Sequence, residues 1–236
     1  VSKATGVQVA KAAALIATGT SIAELRAQGS LPKKKVGIPH GISVKEAVLP
    51  WNRFRRKDGV GIDTVLGPEM KSTGEVMGIA TTFGAAYAKS QVAAFGALPK
   101  NGTVFVSLSD ADKTSGISAT KRLTELGFTV LSTRGTHDFL ASHGVKTVLT
   151  VKDGEKDRSK GEFSAVDLIN QGKIDLVINT PRGRGAKRDG WKIRSAAVAR
   201  GISCITTIAG YNAAIEGIRS IQSAKFEPRP LQEWAQ

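Results

Sequence analysis

The feature that most constrains the fold is a regular alternation of short apolar segments and amphipathic segments, which begins at residue 102. The apolar segments have the length of strands and do not alternate polar with apolar residues, which is typical of strands covered on both faces. Strands that alternate with helices form parallel sheets. The sequence therefore predicts an α/β fold with a doubly wound parallel sheet of about five strands. The predicted strands are TVFVSLS, FTVLS, KTVLTV, IDLVINT and SCITT.

Residues 1–95 follow a less regular pattern, which predicts a mixed α+β segment. A short helix is predicted in SIAELRAQG, where Ser21 and Glu24 have the spacing of a capping box. We predict a strand in VKEAVLP, a mostly irregular stretch over residues 52–78, and a helix in TTFGAAYAKSQVAAFGAL. Because PKNG then breaks the chain, we place the domain boundary there and assign residues 96–236 to the sheet domain.

Polar residues lie at the carboxyl end of each predicted strand. In doubly wound sheets, ligands bind outside these ends. Hydroxyls, lysines and a helix N-terminus at one edge are typical of a phosphate site, and an asparagine can in addition contact a ribose or a base edge. The candidate residues, in strand order, are Ser107 with Lys113 in the loop after it, then Thr133, Arg134 and Thr136, then Lys152, then Asn179 and Thr180, and last Thr206.

The segment LSTRGTHDFL (131–140) holds the densest group of these donors. The helix after the second strand is predicted to begin at about Thr136, so that its free N–H groups point towards the same edge. Gly135 allows the backbone to approach an anion. Each residue alone also fits a structural role as a helix cap or in a turn. The recurrence of polar residues at every strand end favours a ligand site.

Signs of catalysis are few. His40, His137 and His143 are not spaced with one another or with Cys204 as metal ligands are, and neither a P-loop nor a nucleophile-elbow motif occurs. Cys204 is predicted to lie in a core strand, buried and inert. The basic stretch 182–194 fits either an anion-binding segment or a solvated loop, and we favour the loop.

The net charge of +14 at pH 7 raises the question of a nucleic-acid partner. Residues 1–95 hold 13 Lys and Arg against 6 Asp and Glu, and residues 96–236 hold 21 against 14, so the charge is spread rather than collected in one tail. Aromatic residues, on which bases stack, make up only 6% of the chain. These observations disfavour nucleic acid and favour a small anionic ligand.

No apolar run approaches the length of a transmembrane helix, and Lys11 inside the apolar N-terminal stretch argues against a signal peptide. Cys204 is the only cysteine, so no internal disulfide can form, which fits a cytoplasmic protein. Because the chain does not begin with Met, we expect it to be a piece of a longer one.

Several segments resemble the large subunit of carbamoyl phosphate synthetase near its carboxyl end. The most specific is LGPEMKSTGEVMG, and the resemblance spans almost the whole chain through SVKEAVLPWNRF, AAYAKSQ, VSLSDADK, GFTVLSTRGT, VINTPRGR and ITTIAGYNAAI. It implies that residues 1–95 are the last segment of the second ATP-grasp unit, the one that phosphorylates carbamate. Residues 96–236 then form a methylglyoxal-synthase-like regulatory domain.

The resemblance also implies partners and cofactors. The intact enzyme is a ligase that uses ATP with Mg or Mn, and K, works with a small glutaminase subunit, and serves pyrimidine and arginine biosynthesis. The residues that bind its metals lie outside this chain, so we expect no cofactor here and no carbamoyl phosphate synthesis by this chain alone. Its expected partners are UMP, an inhibitor, IMP, an activator, ornithine, and the remainder of the large subunit.

Site residues are carried over from the family position by position. Lys113, Thr133, Thr136 and Lys152 match the nucleotide phosphate site, and Ser107 and Asn179 match residues that line the nucleotide pocket, in which we also place Arg134 and Thr180. Glu46 and Thr206 match the junction that takes ornithine. Three positions depart from the family. Pro181 replaces a threonine, Arg134 a histidine, and Cys204 a tyrosine that contacts ornithine.

Two other functions compete with this interpretation. A methylglyoxal-synthase-like lyase would need carboxylates beside the phosphate as general acid and base. That family's GGDQ and WDP segments are replaced here by KGEFS and NTPRGR, so we predict no lyase activity. A basic nucleic-acid-binding module is the other alternative, and salt-sensitive binding of DNA or RNA would distinguish it.

Overall fold

A computed structural model describes residues 1–33, 41–54, 63–151, 163–181, 187–224 and 228–234. Seven strands and nine α-helices occur within these ranges. The strands are β1 (Ile42–Val48), β2 (Gly74–Ala80), β3 (Thr103–Ser107), β4 (Thr129–Thr133), β5 (Val148–Thr150), β6 (Leu176–Asn179) and β7 (Cys204–Ile205). The helices are α1 (Ser2–Thr5), α2 (Val9–Ala17), α3 (Ile22–Ala27), α4 (Phe83–Ala94), α5 (Asp110–Glu125), α6 (Arg134–Ser142), α7 (Ala165–Asn170), α8 (Lys187–Ala199) and α9 (Ile208–Ser223).

The predicted α/β fold is confirmed. Five strands form one parallel sheet in the order β5-β4-β3-β6-β7. Successive strands run outward from β3 through β4 to β5, and the chain then crosses to the other side of β3 to form β6 and β7. The strand order therefore reverses between β3 and β6, and in sheets of this kind ligands bind at the carboxyl ends beside such a switch point.

Both faces of the central strands are buried, as their apolar sequences predict, whereas Val148 and Leu149 of the edge strand β5 are exposed. Val104, Val106 and Ile178 point to one face and pack with residues of α4, α5 and α9. Phe105 and Val177 point to the other face and pack with residues of α7 and α8. The alternation along β3 thus places successive apolar residues in two separate cores, which explains why the strand shows no polar face.

A two-stranded antiparallel sheet precedes the parallel one. In it β1 pairs with β2, with Ile42 opposite Ala80 and Val48 opposite Gly74. The prediction that residues 52–78 are mostly irregular is therefore wrong at its end, because β2 begins at Gly74. The glycines suggested a loop, but Gly78 has a packing role. A Cβ atom at Gly78 would lie 2.6 Å from the Ser90 backbone nitrogen, so only glycine lets α4 pack this closely on the strand.

Helix α4 joins the two sheets. Its buried residues Tyr87 and Ala88 belong to the same core as Val104 and the α9 residues. Gly84 on α4 and Gly217 on α9 allow the two helices to pack closely. A Cβ atom at Gly84 would lie less than 3 Å from atoms of α9, and one at Gly217 would lie less than 3 Å from Leu98, which follows α4 in the chain.

The capping box predicted in α3 is also confirmed, because the Ser21 and Glu24 side chains each accept a hydrogen bond from the other's backbone N–H.

Among the described residues, no helix is both long and apolar enough to cross a bilayer. The predicted boundary near residue 96 stays a prediction.

Candidate functional site

The carboxyl ends of β3, β4 and β6 bring predicted site residues together at the switch point. The Ser107 and Thr133 hydroxyl oxygens lie 3.3 Å apart, and Ser107 is paired in register with Asn179 on β6. Ser107 thus stands between the ends of the two neighbouring strands. The structure places these three residues side by side, as the sequence predicts from their position at strand ends.

Two further threonines hold the loop after β3 in place. The Leu108 N–H donates to Thr136 Oγ1 (3.0 Å), and the Ser109 N–H donates to Thr180 Oγ1 (2.9 Å). Both threonines are buried. Each hydroxyl oxygen accepts from the backbone, so each hydroxyl hydrogen remains available to donate to a ligand. These two side chains therefore shape the loop and in addition can contribute a donor.

Helix α6 begins at Arg134 rather than at Thr136, with Thr133 as its N-cap. The prediction of its start was two residues late, because Gly135 suggested a turn although it lies within the first turn of the helix. The Thr133 side chain makes no capping hydrogen bond, so it leaves the first N–H groups of α6 without a side-chain cap. Those groups carry partial positive charge beside Ser107 and Thr133, which favours an anion.

Lys113 brings a full positive charge to the same place. Its Nζ forms an ion pair with Asp110 Oδ1 (2.8 Å) and lies 5.8 Å from the centre of the Phe139 ring. A Cβ atom at Gly135 would be 3.6 Å from Nζ, so the ammonium group sits over the first turn of α6. Lysine, helix N-terminus and hydroxyls thus converge on one edge of the sheet.

Arg134 is exposed at the first position of α6. Lys152, His40 and residues 182–186 of the basic stretch lie outside the described residues. His137 is half-buried, and its Nδ1 is 2.7 Å from Thr147 Oγ1, whereas His143 is exposed. In the part of the chain that the structure describes, no three His, Cys, Asp or Glu residues are grouped closely enough to hold a metal ion.

Asn179 contacts a residue that the sequence analysis missed. The Arg194 Nη1 donates to Asn179 Oδ1 (2.6 Å), and the other two guanidinium nitrogens, Nε and Nη2, donate to the two carboxylate oxygens of Asp63, each at 2.6 Å. Partial burial raises the pKa of Asp63, but the hydrogen bonds and positive charge of Arg194 outweigh it and hold that pKa below its ordinary value. The sequence did contain one signal for a special role of this residue. Arg194 is a charged residue on the buried face of α8, between the apolar residues Ile193 and Ala197.

The predicted junction residues Glu46 and Thr206 line one cavity of about 470 Å³. It lies between the end of β1, the helix α4 and the strand β7, and Thr64, Gln91 and Cys204 also line it. The Gln91 Nε2 donates to Glu46 Oε2 (3.0 Å), and burial raises the pKa of Glu46 above its ordinary value.

Cys204 corrects an expectation. It is only half-buried in the two-residue edge strand β7 and borders the cavity, instead of lying in a core strand. The local surroundings are nonetheless apolar enough that burial raises the pKa of its thiol to about 12. The thiol is therefore protonated at neutral pH, which agrees with the prediction that it is unreactive.

Comparison with known proteins gives two findings. Residues 116–206 match the family model of the MGS-like domain. The whole chain is similar to carbamoyl phosphate synthase large chains, with 51% identity to that of Clavibacter michiganensis and 48% to that of Streptomyces avermitilis, and it covers 22% of each. The large chain of Corynebacterium glutamicum is 48% identical over 99% of this chain and 21% of its own length. The chain thus spans less than a quarter of the relatives it matches.

Proposed function

Because the chain belongs to the family of carbamoyl phosphate synthase large chains, 22% of whose length it spans, we propose that it is a regulatory part of such an enzyme. It binds a nucleoside monophosphate, UMP or IMP, at the carboxyl edge of the parallel sheet. The occupied site then modulates ATP-dependent carbamoyl phosphate synthesis elsewhere in the large chain. An effector acts in this way only if it binds the active and inactive states of the enzyme with different affinities.

One observation carries this proposal. Lys113, the Ser107 and Thr133 hydroxyls and the uncapped start of α6 meet at the switch point of the sheet. A phosphate group needs hydrogen-bond donors and positive charge, and this edge offers both. Lys152 belongs to the proposed site by the family resemblance, and Arg134, at the first position of α6, adds a charge beside it. Asn179 and Thr180 complete the pocket on the β6 side.

Titration calorimetry with UMP, IMP, uridine and inorganic phosphate tests the phosphate site. Replacing Lys113 by Ala removes one charge-assisted hydrogen bond, worth about 1.5–3 kcal/mol, and should weaken UMP binding by about 10-fold or more. Uridine, which lacks the phosphate, should bind both proteins equally weakly. Lys121→Ala, a change at an exposed lysine on the same helix, is the matched control and should leave the UMP affinity unchanged. Equal UMP binding by Lys113→Ala and the unchanged chain contradicts the proposal.

The second part of the proposal concerns the activity of the whole enzyme. We propose that the remainder of the large chain and a small glutaminase subunit carry out the ligase reaction in the cytoplasm, with ATP, Mg or Mn, and K. In that arrangement the present chain makes no carbamoyl phosphate by itself and serves pyrimidine and arginine biosynthesis through regulation. Reconstitution with the rest of the large chain, followed by assay of synthesis with and without UMP, tests the regulatory role.

The junction cavity supports a second ligand, a cationic amino acid such as ornithine. Glu46 supplies a carboxylate and Thr206 a hydroxyl, and the buried Thr64 side chain lines the same cavity. A ligand present at about a hundred times its dissociation constant should stabilise the fold by roughly 2.7 kcal/mol. Ornithine should therefore raise the unfolding temperature of the chain and not that of Glu46→Gln. An equal shift, or none, in both proteins contradicts binding at this cavity, where Cys204 replaces the family's tyrosine.

A further inference from the structure

Arg194 is a buried cation that contacts both parts of the chain. Its side chain is 1% exposed and donates to Asn179 on β6 and, through two bonds, to Asp63. Asp63 precedes β2 in the chain and is 131 residues away from Arg194. Removing one partner of a buried ion pair leaves an uncompensated charge, so Asp63 stabilises Arg194 in this position.

The contact with Arg194 fixes which way the Asn179 amide faces. A guanidinium group has only donors, so the atom of Asn179 that meets it is the oxygen. The amide nitrogen makes no hydrogen bond to any residue that the structure describes, so Asn179 offers the pocket a donor and not an acceptor. Ser107, its register partner, belongs to the group of donors that we assign to the phosphate.

The contact between Arg194 and Asn179 leaves no room for a side chain at Gly190. A Cβ atom there would lie 2.6 Å from Arg194 Nη1 and 3.1 Å from Asn179 Oδ1. Any other residue at position 190 would push the guanidinium and the amide apart. The close approach of α8 to the end of β6 thus serves the contact between the two side chains.

Asp63 is continuous with the wall of the junction cavity. The next residue, Thr64, and also Leu66 line that cavity, and the Val65 N–H donates to Asp63 Oδ1 (3.1 Å). A displacement of this short segment therefore moves the Asp63 carboxylate, and with it the partner of Arg194.

We propose that Asp63 and Arg194 are positioning residues of the nucleotide site. Asp63 holds Arg194, and Arg194 turns the Asn179 amide so that its N–H donates to the bound nucleotide. The affinity for a nucleoside monophosphate thereby depends on a carboxylate that does not touch it and that belongs to the cavity-lining segment 63–66. This inference rests on the function proposed above.

A double-mutant cycle on the full chain tests it, with UMP dissociation constants measured by calorimetry below the unfolding transition. Asn179→Ala removes one donor to the nucleotide and should weaken UMP binding by about 10-fold. Asp63→Asn should weaken it by a smaller factor, about 3-fold to 10-fold, because Arg194 is still present but is less firmly held. If Asp63 acts through Asn179, the double variant should bind UMP as the Asn179→Ala protein does.

Glu216→Gln is the matched control. It removes the carboxylate partner of another arginine, Arg122, whose Nη1 lies 2.8 Å from Glu216 Oε1 on α9, and neither residue belongs to the proposed nucleotide site. Its UMP affinity should equal that of the unchanged chain, even where its stability falls. If Asp63 had a merely structural role, Asp63→Asn would, like Glu216→Gln, leave the UMP affinity unchanged.

The outcomes separate the two proposals. If the unchanged chain binds neither UMP nor IMP, the proposed function fails and this inference fails with it. If UMP binds and Asp63→Asn leaves its affinity unchanged, or if the effects of Asp63→Asn and Asn179→Ala multiply in the double variant, only the positioning role is refuted.

Discussion

The contact between α4 and α9 allows a sharp test of how the two parts of the chain are joined. Gly84→Ala adds one methyl group to α4 where it faces α9. The new Cβ atom would lie 2.8 Å from the carbonyl carbon of Glu216 and nearer still to its oxygen and to the Ser220 hydroxyl. Carbon atoms ordinarily approach no closer than about 3.5 Å, so the helices must separate. The atoms met are mainly backbone, which cannot move aside as a flexible side chain does.

Two opposing effects decide the sign of the change in stability. Alanine is favoured over glycine inside a helix by up to about 1 kcal/mol, and less at the second residue of a helix, where Gly84 lies. Overpacking in a close contact costs about 1–3 kcal/mol, and here the displaced group is the α9 backbone. We therefore expect Gly84→Ala to lower the free energy of unfolding by about 1–2 kcal/mol.

Urea unfolding followed by circular dichroism measures this difference. Gly74→Ala is the control, since a Cβ atom at Gly74 meets nothing within 4 Å and its backbone angles need no glycine. The control should be as stable as the unchanged chain, or slightly more so. If Gly84→Ala is also as stable as the unchanged chain or more stable, helix propensity outweighs the contact and the inferred packing of α4 on α9 is wrong.

Three further predictions concern single groups. The pKa of Asp63 is lowered by Arg194, so its ionisation stabilises the fold above its unfolded pKa of 3.8, and this contribution is lost as the pH falls through the lower folded value. In acid unfolding, the difference in the free energy of unfolding between the unchanged chain and Asp63→Asn should therefore shrink as the pH falls below 3.8. A difference that stays constant contradicts the ion pair. Because burial raises the pKa of Cys204 to about 12, iodoacetamide should alkylate it far more slowly in the folded chain at pH 8 than in urea, and equal rates contradict the raised pKa. Dihydroxyacetone phosphate should yield no methylglyoxal above the rate of a Lys113→Ala protein, as the missing GGDQ and WDP segments predict, and a higher rate restores the lyase alternative.

Local patterns were sufficient to predict the parallel sheet. Strands β3 to β7 were recognised from apolar runs, although only the central strands are buried on both faces, and the α3 capping box was recognised from two residues three positions apart. β2 was missed because its glycines weaken the strand pattern. The reason for Gly78 lies in α4, which packs on it from elsewhere in the sequence.

The residues of the candidate site also fall into those that the sequence could predict and those that it could not. Ser107, Thr133 and Asn179 could be brought together in prediction, because parallel strands end at one edge of the sheet. The pairing of Arg194 with Asp63 could not, since nothing in a single sequence relates an arginine on a helix to an aspartate 131 residues earlier in an irregular segment. What each of these residues binds stays a prediction until ligand titrations are made.

The cavity is connected to the parallel-sheet part of the chain at two places. On one side, α4 carries Tyr87 and Gln91 into the cavity wall while it packs on α9 through Gly84. On the other side, the segment with Thr64 borders the cavity and, through Asp63 and Arg194, holds Asn179 at the edge of the sheet. A ligand that changed the width of the cavity would act on both contacts. Packed helices and a bidentate ion pair have few alternative arrangements, so such a change would shift the chain between discrete states rather than deform it gradually. Two ligands that favour different states of these contacts would then influence each other's affinity equally, without touching.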